Sequence, residues 1–109
     1  MSIGEITVVN KHTYRGKSTG VVYIGRGSVF GNPYPLPKYT REASIAKYKK
    51  DFLVLMTWES PMKIALRKIA QEILHGRDVK LMCYCAPRAC HGDVLKQYID
   101  EAIAKRLNQ

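Results

Sequence analysis

Val79-Lys80-Leu81-Met82-Cys83-Tyr84-Cys85, continuing into Ala86-Pro87-Arg88-Ala89-Cys90-His91-Gly92-Asp93, is the stretch that best predicts the fold of this chain. Its first seven residues are mostly apolar, which is typical of a central strand buried on both faces. Pro87 interrupts this run, and a helix is predicted from about His91 or Gly92 to about Leu107. A strand that turns directly into a helix is typical of open α/β sheets, which bind ligands at the carboxyl ends of their strands. The stretch therefore predicts an α/β fold with a ligand site at this turn.

Two further strands and two further helices are predicted upstream. The strands are the β-branched runs Ile6-Thr7-Val8-Val9-Asn10 and Val21-Val22-Tyr23-Ile24. The helices begin after the capping signals Thr40 and Ser60-Pro61, and His75-Gly76 ends the second of them. The apolar faces of the three helices are Ile45, Tyr48, Phe52 and Leu55; Met62, Leu66, Ile69 and Ile73; and Val94, Leu95, Tyr98, Ile99, Ala102 and Ile103. The order β-β-α-α-β-α predicts one small Rossmann-like α/β domain over residues 1–109, a two-layer or three-layer sandwich with a mainly parallel sheet.

Composition points to an anionic partner inside the cell. Eighteen lysines and arginines stand against nine acids, so the net charge is +9, and a field of this sign attracts polyanions or small phosphorylated ligands. The three cysteines are clustered within residues 83–90, unlike the spread of a secreted disulfide framework. No signal peptide is recognised, and no apolar run approaches the roughly 20 residues of a membrane span. We therefore expect a cytoplasmic protein with no membrane partner.

The turn Cys83–Asp93, here called the cysteine turn, is the densest group of reactive side chains. The start of its helix presents free backbone amides and the positive end of the helix dipole, which favour a phosphate or carboxylate. Arg88 adds a cation, so Arg88 and Gly92 are predicted to bind the ligand. Cys90, His91 and Asp93 are the predicted catalytic residues. A thiol at a helix start near an arginine has a lowered pKa, so Cys90 is a candidate nucleophile and His91 its base.

Two other interpretations of the cysteine turn stay open. In the first, Cys83, Cys85, Cys90 and His91 are four nitrogen and sulfur ligands of a structural zinc ion. Their spacing differs from that of the usual zinc fingers and ribbons, so no metal or other cofactor is expected, with zinc as the alternative. In the second, Cys83 is a small buried apolar residue and Asp93 only stabilises the helix dipole.

The segment Gly25–Pro33, here called the glycine loop, is the second candidate site. It follows a strand, and Pro33, Pro35 and Pro37 prevent a helix from starting at once. Its spacing is not that of the dinucleotide-binding fingerprint. The residues predicted to bind ligand are Gly25, Arg26, Gly27, Ser28, Phe30, Gly31 and Asn32. Phe30 and Tyr34 can either stack on a base or fill the edge of the core.

The chain resembles a small phage and bacterial family known as domain of unknown function 4326. In the glycine loop the matching residues are Gly25-Arg26-Gly27-Ser28 and Phe30-Gly31-Asn32-Pro33, and in and after the cysteine turn they are Cys83-Tyr84-Cys85-x-Pro87-x-x-Cys90-His91-Gly92-Asp93-Val94-Leu95. Asn10 matches as well. Members usually carry tryptophan where Tyr84 stands. The resemblance adds Asn10 to the predicted ligand-binding residues and implies a phage origin. It also implies kinship with Rossmann-like proteins that handle nucleotides or their derivatives, a fold-level analogy.

Three hypotheses of function follow. The first is a protein that binds a nucleotide or derivative, such as ADP-ribose or a cyclic nucleotide, and hydrolyses or sequesters it as part of host nucleotide signalling. The second is a basic nucleic-acid-binding module that uses the clusters Lys11–Lys17, Lys47–Lys50 and Lys63–Lys68. The third is the structural zinc protein. The oligomeric state stays open, a homodimer included.

The first hypothesis makes a geometric prediction. Both segments follow strand ends, so they should face each other across one pocket. There, Arg26 and Arg88 would neutralise the same ligand charge, and the glycines Gly25, Gly27 and Gly31 would let backbone amides approach the ligand.

Overall fold

The predicted order of strands and helices is confirmed. The computed structural model describes residues 2–108, and Met1 and Gln109, the ends of the predicted domain 1–109, lie outside the described residues. The elements are β1 (Ile6–Asn10), β2 (Val21–Tyr23), α1 (Arg41–Leu55), α2 (Pro61–Leu74), β3 (Val79–Cys83) and α3 (His91–Leu107).

The three strands form a parallel sheet in the order β1-β3-β2. Ile6 is opposite Val79 and Asn10 is opposite Cys83 on one side of β3, while Val22 is opposite Leu81 on the other. The last strand in sequence is therefore central, as predicted. Because all three strands run in the same direction, the glycine loop after β2 and the cysteine turn after β3 leave the sheet at the same edge.

The helices lie on one face of the sheet, so the sandwich has two layers. α1 and α2 both pack on α3, and the rings of Phe52 and Tyr98 meet edge to face at 5.4 Å between centroids. Along β3, Val79, Leu81 and Cys83 are buried, whereas Lys80 and Met82 are only half-buried. The prediction that this strand is buried on both faces is wrong, because the described helices cover a single face.

One hydrophobic core lies between the helices and the covered face of the sheet. The predicted stripe of α2 is confirmed, since Met62, Leu66, Ile69 and Ile73 are all buried. Burying each such side chain contributes about 1.5–3 kcal/mol to the stability of the folded state. The apolar stripes are therefore what mainly holds the helices in the core. Among the described residues, no helix is both long enough and apolar enough to cross a membrane.

The predicted capping residues are also confirmed. Thr40 accepts a hydrogen bond from the amide of Ala43, and Ser60 accepts one from the amide of Lys63. Gly76 follows the end of α2 at φ +90°, a backbone conformation that favours glycine. These caps satisfy backbone groups that a helix leaves without internal partners.

β3 is shorter than predicted, because it ends at Cys83 rather than Cys85. The amide of Lys11 donates to the carbonyl of Cys83, and the side chain of Asn10 donates to the carbonyls of Tyr84 and Ala86 at 3.2 and 2.9 Å. The chain beyond Cys83 is thus held by side-chain contacts in a turn instead of continuing the strand.

Candidate functional site

A pocket of about 290 Å³, here called the carboxyl-edge pocket, opens at the edge of the sheet where β2 and β3 end. The glycine loop contributes Gly25, Arg26 and Asn32 to its wall. The remaining residues of the wall are Tyr23, Tyr34, Pro35, Leu36, Arg41, Ser44, Ile45, Cys83, Tyr84, Cys85, Cys90 and His91. The prediction that the two segments face each other across one pocket is therefore confirmed.

Arg26 and Arg41 are the cations of the pocket wall. Arg88, predicted to share the ligand charge with Arg26, is exposed and is not among the residues of the wall. Arg41 lies at the start of α1 and donates to the carbonyl of Ala89 at 3.0 Å, which ties it to the cysteine turn. Arg41 was not among the predicted site residues, although a cation in the first turn of a helix opposes the helix dipole and so indicates a special role.

The electrostatic character of the pocket is positive. Among the described residues, no aspartate or glutamate lines it. Lys11 lies 5.6 and 5.7 Å from the ring centroids of Tyr23 and Tyr84, and Lys47 lies 5.9 Å from that of Tyr34. All three tyrosines belong to the wall, so these lysines add cations around it.

Two helices begin at this pocket. Arg41 and Ser44 belong to the first turn of α1, and His91 is the first residue of α3. Helix starts carry unpaired amides and a partial positive charge. The pocket thus combines two arginines with the positive ends of two helices.

The glycine loop is folded on itself. The Ser28 hydroxyl donates to the carbonyl of Gly25 at 2.7 Å and accepts from the amide of Phe30 at 3.3 Å. Gly27 has φ +90°, and a Cβ at Gly31 would lie 3.0 Å from the Gly25 carbonyl oxygen. Gly27, Ser28 and Gly31 are absent from the pocket wall, and the structure shows them shaping the loop.

Phe30 and Tyr34 have different positions. Phe30 is 4% exposed and belongs to the core, and its carbonyl accepts a hydrogen bond from the Tyr48 hydroxyl at 2.7 Å. The core-filling interpretation is therefore correct for Phe30. Tyr34 lines the pocket, and its hydroxyl donates to Asp51.

Two asparagines organise the surroundings of the pocket. Asn10 holds the cysteine turn through the two bonds described above, and its side-chain oxygen accepts from the amide of His12 at 2.8 Å. It is not part of the wall. Asn32 is part of the wall, and its side chain donates to the Ser44 hydroxyl at 2.9 Å and accepts from the amide of Tyr34 at 2.9 Å.

The start of α3 is closed by a reciprocal cap. The Cys90 sulfur accepts from the amide of Gly92 at 3.3 Å, and the Asp93 carboxylate accepts from the amide of Cys90 at 3.0 Å. Asp93 is exposed and Gly92 is buried, and neither is in the pocket wall. A Cβ at Gly92 would lie 2.9 Å from Cδ1 of Ile24, so glycine here lets the helix closely approach Ile24, the residue after β2.

His91 lies in the pocket wall and is 7% exposed. Its Nε2 atom is 2.6 Å from the carbonyl oxygen of Ile24, and its ring meets that of Tyr48 edge to face at 5.0 Å. Because a carbonyl can only accept, Nε2 carries the proton in the neutral ring. Nδ1 is then the nitrogen left for proton transfer.

Cys83 and Cys90 are buried together, with their sulfur atoms 3.4 Å apart. The contact with Cys90 lowers the pKa of Cys83, and the Cys85 amide acts in the same direction against the effect of burial. The neighbouring Cys83 thiolate and burial raise the pKa of Cys90. The pKa of Cys90 is thus raised rather than lowered as predicted, because the neighbouring Cys83 sulfur and burial both disfavour its thiolate.

The four predicted zinc ligands do not converge. Within residues 2–108, no group of three or more histidine, cysteine, aspartate or glutamate side chains is arranged to hold a metal ion. Cys85 lies past the end of β3, so the strand alternation that would align it with Cys83 no longer applies.

The fold and site define a small two-layer parallel α/β protein with a positive pocket at the carboxyl edge of its sheet. The chain belongs to the family described as Domain of unknown function (DUF4326), which matches residues 8–101 and so includes both segments. It is 33% identical over 100 residues to an uncharacterized 12.4 kDa protein from the nrdA-td intergenic region of Enterobacteria phage T4, covering 91% of this chain and 82% of that protein. No solved structure matches the chain significantly.

Proposed function

We propose that this protein binds a nucleotide or nucleotide derivative in the carboxyl-edge pocket. The observation that carries the proposal is the make-up of the wall, which has two arginines, three tyrosines and, among the described residues, no carboxylate. Arginine is suited to phosphate because its planar group presents several donors in a fixed geometry. The two helix starts add to the attraction for an anion.

The tyrosines favour a nucleotide over a simple anion such as phosphate. Tyr23 and Tyr84 are partly exposed at the strand ends, and their rings meet edge to face at 6.3 Å. Exposed aromatic rings can stack on a base. The volume of about 290 Å³ is near the lower end of ligand pockets, which suits a mononucleotide or a cyclic nucleotide and part of ADP-ribose. A parallel sheet with its site at the carboxyl edge also agrees with kinship to Rossmann-like nucleotide-binding proteins.

The arrangement supports binding more directly than turnover. Hydrolysis needs a positioned acid or base, and His91 is the wall residue that offers one, through Nδ1. Asp93, the predicted carboxylate partner, is engaged in the helix cap. We therefore propose sequestration as the primary role, in the cytoplasm, with host nucleotide signalling as the setting that the phage relative favours.

Thermal unfolding with added ligands tests this proposal. The full chain would be heated with AMP, cyclic AMP, ADP-ribose, adenosine or inorganic phosphate at millimolar concentration. A ligand that binds only the folded state stabilises it by about 2.7 kcal/mol at 100 times its Kd. We expect the phosphorylated nucleosides to raise the Tm more than adenosine or phosphate alone, and no shift with any of them would refute the proposal.

Two arginine variants form a matched pair for the same experiment. Arg41→Gln removes a cation of the wall, and Arg88→Gln removes an exposed cation of the same turn that is outside it. Hydrogen bonds to charged groups contribute about 1.5–3 kcal/mol. Relative to each variant without ligand, we expect Arg41→Gln to lose most of the ligand-induced Tm shift and Arg88→Gln to keep it.

A second candidate function, nucleic-acid binding, is favoured by one specific observation. A cavity of about 580 Å³, here called the amino-edge pocket, lies where β2 and β3 begin, and four cations, Lys17, Lys68, Arg77 and Lys80, outnumber two acids, Glu72 and Asp78, in its wall. Lys17 and Lys68, from two of the three predicted lysine clusters, therefore meet at one surface. Lys11, at the other end of the first of these clusters, and Lys47, of the remaining cluster, lie beside the carboxyl-edge pocket instead.

A further inference from the structure

The Cys83 and Cys90 side chains form a close pair that ligand binding does not explain. Their sulfur atoms are 3.4 Å apart, and the side chains are 2% and 3% exposed to bulk solvent. Both nevertheless belong to the wall of the carboxyl-edge pocket. A small reagent that enters the pocket can thus meet two sulfur atoms that larger reagents outside cannot reach.

We propose that Cys83 and Cys90 form a reversible dithiol–disulfide couple that is oxidised by small hydroperoxides entering through the carboxyl-edge pocket. The pair lies between two elements, with Cys83 ending β3 and Cys90 capping α3. A disulfide requires the sulfur atoms to approach to about 2 Å. The proposed couple is independent of which ligand the pocket binds.

The contacts around the two sulfur atoms assign them different roles. The Cys83 sulfur accepts a hydrogen bond from the amide of Cys85 at 3.4 Å, the Cys90 sulfur accepts one from the amide of Gly92 at 3.3 Å, and the two sulfur atoms face each other. Both amide contacts favour the thiolate, the nucleophilic form, and the contact between the sulfur atoms lowers the pKa of Cys83 while it raises that of Cys90. Cys83 is therefore the residue that attacks the peroxide, and Cys90 is the residue that resolves the product.

The oxidation has two steps. The Cys83 thiolate attacks one peroxide oxygen, the O–O bond breaks, and the other oxygen leaves as water or an alcohol after taking up a proton, so Cys83 becomes a sulfenic acid. The Cys90 sulfur then attacks Cys83, the S–S bond forms and the S–O bond breaks, and the hydroxyl leaves as water with the proton lost by Cys90. Two thiols are oxidised and one peroxide is reduced.

Cys85 provides a matched control. It is only half-buried, and it also lies in the pocket wall, so exposure alone would make it the most reactive of the three cysteines. Trypsin cleaves after Lys80, Arg88 and Lys96, which places Cys90 in a different peptide from Cys83 and Cys85. A disulfide to Cys90 therefore joins two peptides that are otherwise separate.

Mass spectrometry of the full chain treated with hydrogen peroxide tests the couple. We expect the intact protein to lose the mass of two hydrogen atoms, the peptides 81–88 and 89–96 to be joined, and dithiothreitol to reverse both changes. Cys85→Ser should behave like the wild type. Cys90→Ser should stop at a sulfenic acid on Cys83 that dimedone captures.

Several results would overturn the proposal. The first is an unchanged protein mass at peroxide concentrations that oxidise a free thiol. The second is loss of the disulfide between peptides 81–88 and 89–96 in Cys85→Ser, and the third is a disulfide that forms only between two copies of the chain. The wild-type peptide map decides the question even if Cys90→Ser does not fold. Ligand-induced Tm shifts play no part in this readout, so failure of the nucleotide proposal would leave the result unaffected.

Discussion

Several residues that sequence analysis assigned to ligand binding instead hold the backbone around the pocket. The side-chain amide of Asn10 donates to the carbonyls of Tyr84 and Ala86. The Ser28 hydroxyl closes the glycine loop by donating to the carbonyl of Gly25. Gly92 allows α3 to pack close to Ile24. Polar and glycine residues at a site look alike in sequence whether they touch a ligand or position the residues that do, because both uses need small or hydrogen-bonding groups.

Tyr48 is a residue whose removal should reduce stability. It is buried, and its hydroxyl donates to the carbonyl of Phe30 at 2.7 Å. Tyr48→Phe leaves this carbonyl without its donor, which costs about 1–3 kcal/mol when the group stays buried. We expect the free energy of unfolding in urea to fall by that amount. An unchanged value would show that the carbonyl finds another partner.

The same residue predicts an alkaline limit of stability. Burial raises the pKa of Tyr48 above its ordinary value of 10.0, so the folded state holds this proton more tightly than the unfolded state. The contribution is fully present below pH 10 and is lost as the pH rises above it. We expect the stability difference between the wild type and Tyr48→Phe to shrink as the pH is raised above 10. A difference that stays constant there would contradict the assignment.

At the scale of elements, helix starts are decisive for this site. The start of α1 supplies Arg41, and the start of α3 supplies Cys90 and His91. The start of α2 has a different function, since Ser60 joins it to the end of α1. Its hydroxyl donates to the carbonyl of Leu55 at 2.8 Å and accepts from the amide of Lys63 at 3.2 Å.

Two capping residues allow a matched comparison. Ser60 is completely buried and makes two hydrogen bonds, whereas Thr40 is exposed and accepts one, from the amide of Ala43 at 3.1 Å. Losing a cap costs about 0.5–2 kcal/mol. We expect Ser60→Ala to lie at the upper end of this range and Thr40→Ala at the lower end in urea unfolding. Equal losses would mean that burial of Ser60 adds nothing to its cap.

At the scale of the whole molecule, the net charge of +9 acts on any polyanion. The lysines of the amino-edge pocket lie at the opposite edge of the sheet from the nucleotide site, so the two candidate functions can be separated. Lys68→Glu changes only the amino-edge pocket, and Arg41→Gln changes only the carboxyl-edge pocket.

We expect nucleic-acid retention in mobility-shift experiments to be strong at low salt and to fall steeply between about 50 and 200 mM salt, because phosphate contacts release counterions. Lys68→Glu should weaken retention and leave nucleotide-induced Tm shifts unchanged, while Arg41→Gln should do the reverse. The absence of retention at low salt would eliminate the nucleic-acid candidate. Equal weakening by both variants would mean that net charge alone is responsible.

The amino-acid sequence by itself determined the order of elements, the helix caps and the stripe of α2, because periodicity and capping depend on residues that are close along the chain. It also indicated the two segments that form the pocket, since a parallel sheet places the ends of its strands at one edge. Helix periodicity, capping and strand direction can all be predicted without knowing which helix packs on which face of the sheet.

Only the tertiary structure decided which residues line the pocket and which thiol is the stronger acid. Arg41 reaches the site from the start of α1, outside both segments, and Arg88 is exposed and outside the pocket wall although it lies within the cysteine turn. Cys83 rather than Cys90 has the lowered pKa, because the contact between the two buried sulfur atoms favours the thiolate at Cys83 and disfavours it at Cys90. Contacts of this kind depend on how turns and helices pack in three dimensions, to which sequence periodicity and spacing are insensitive.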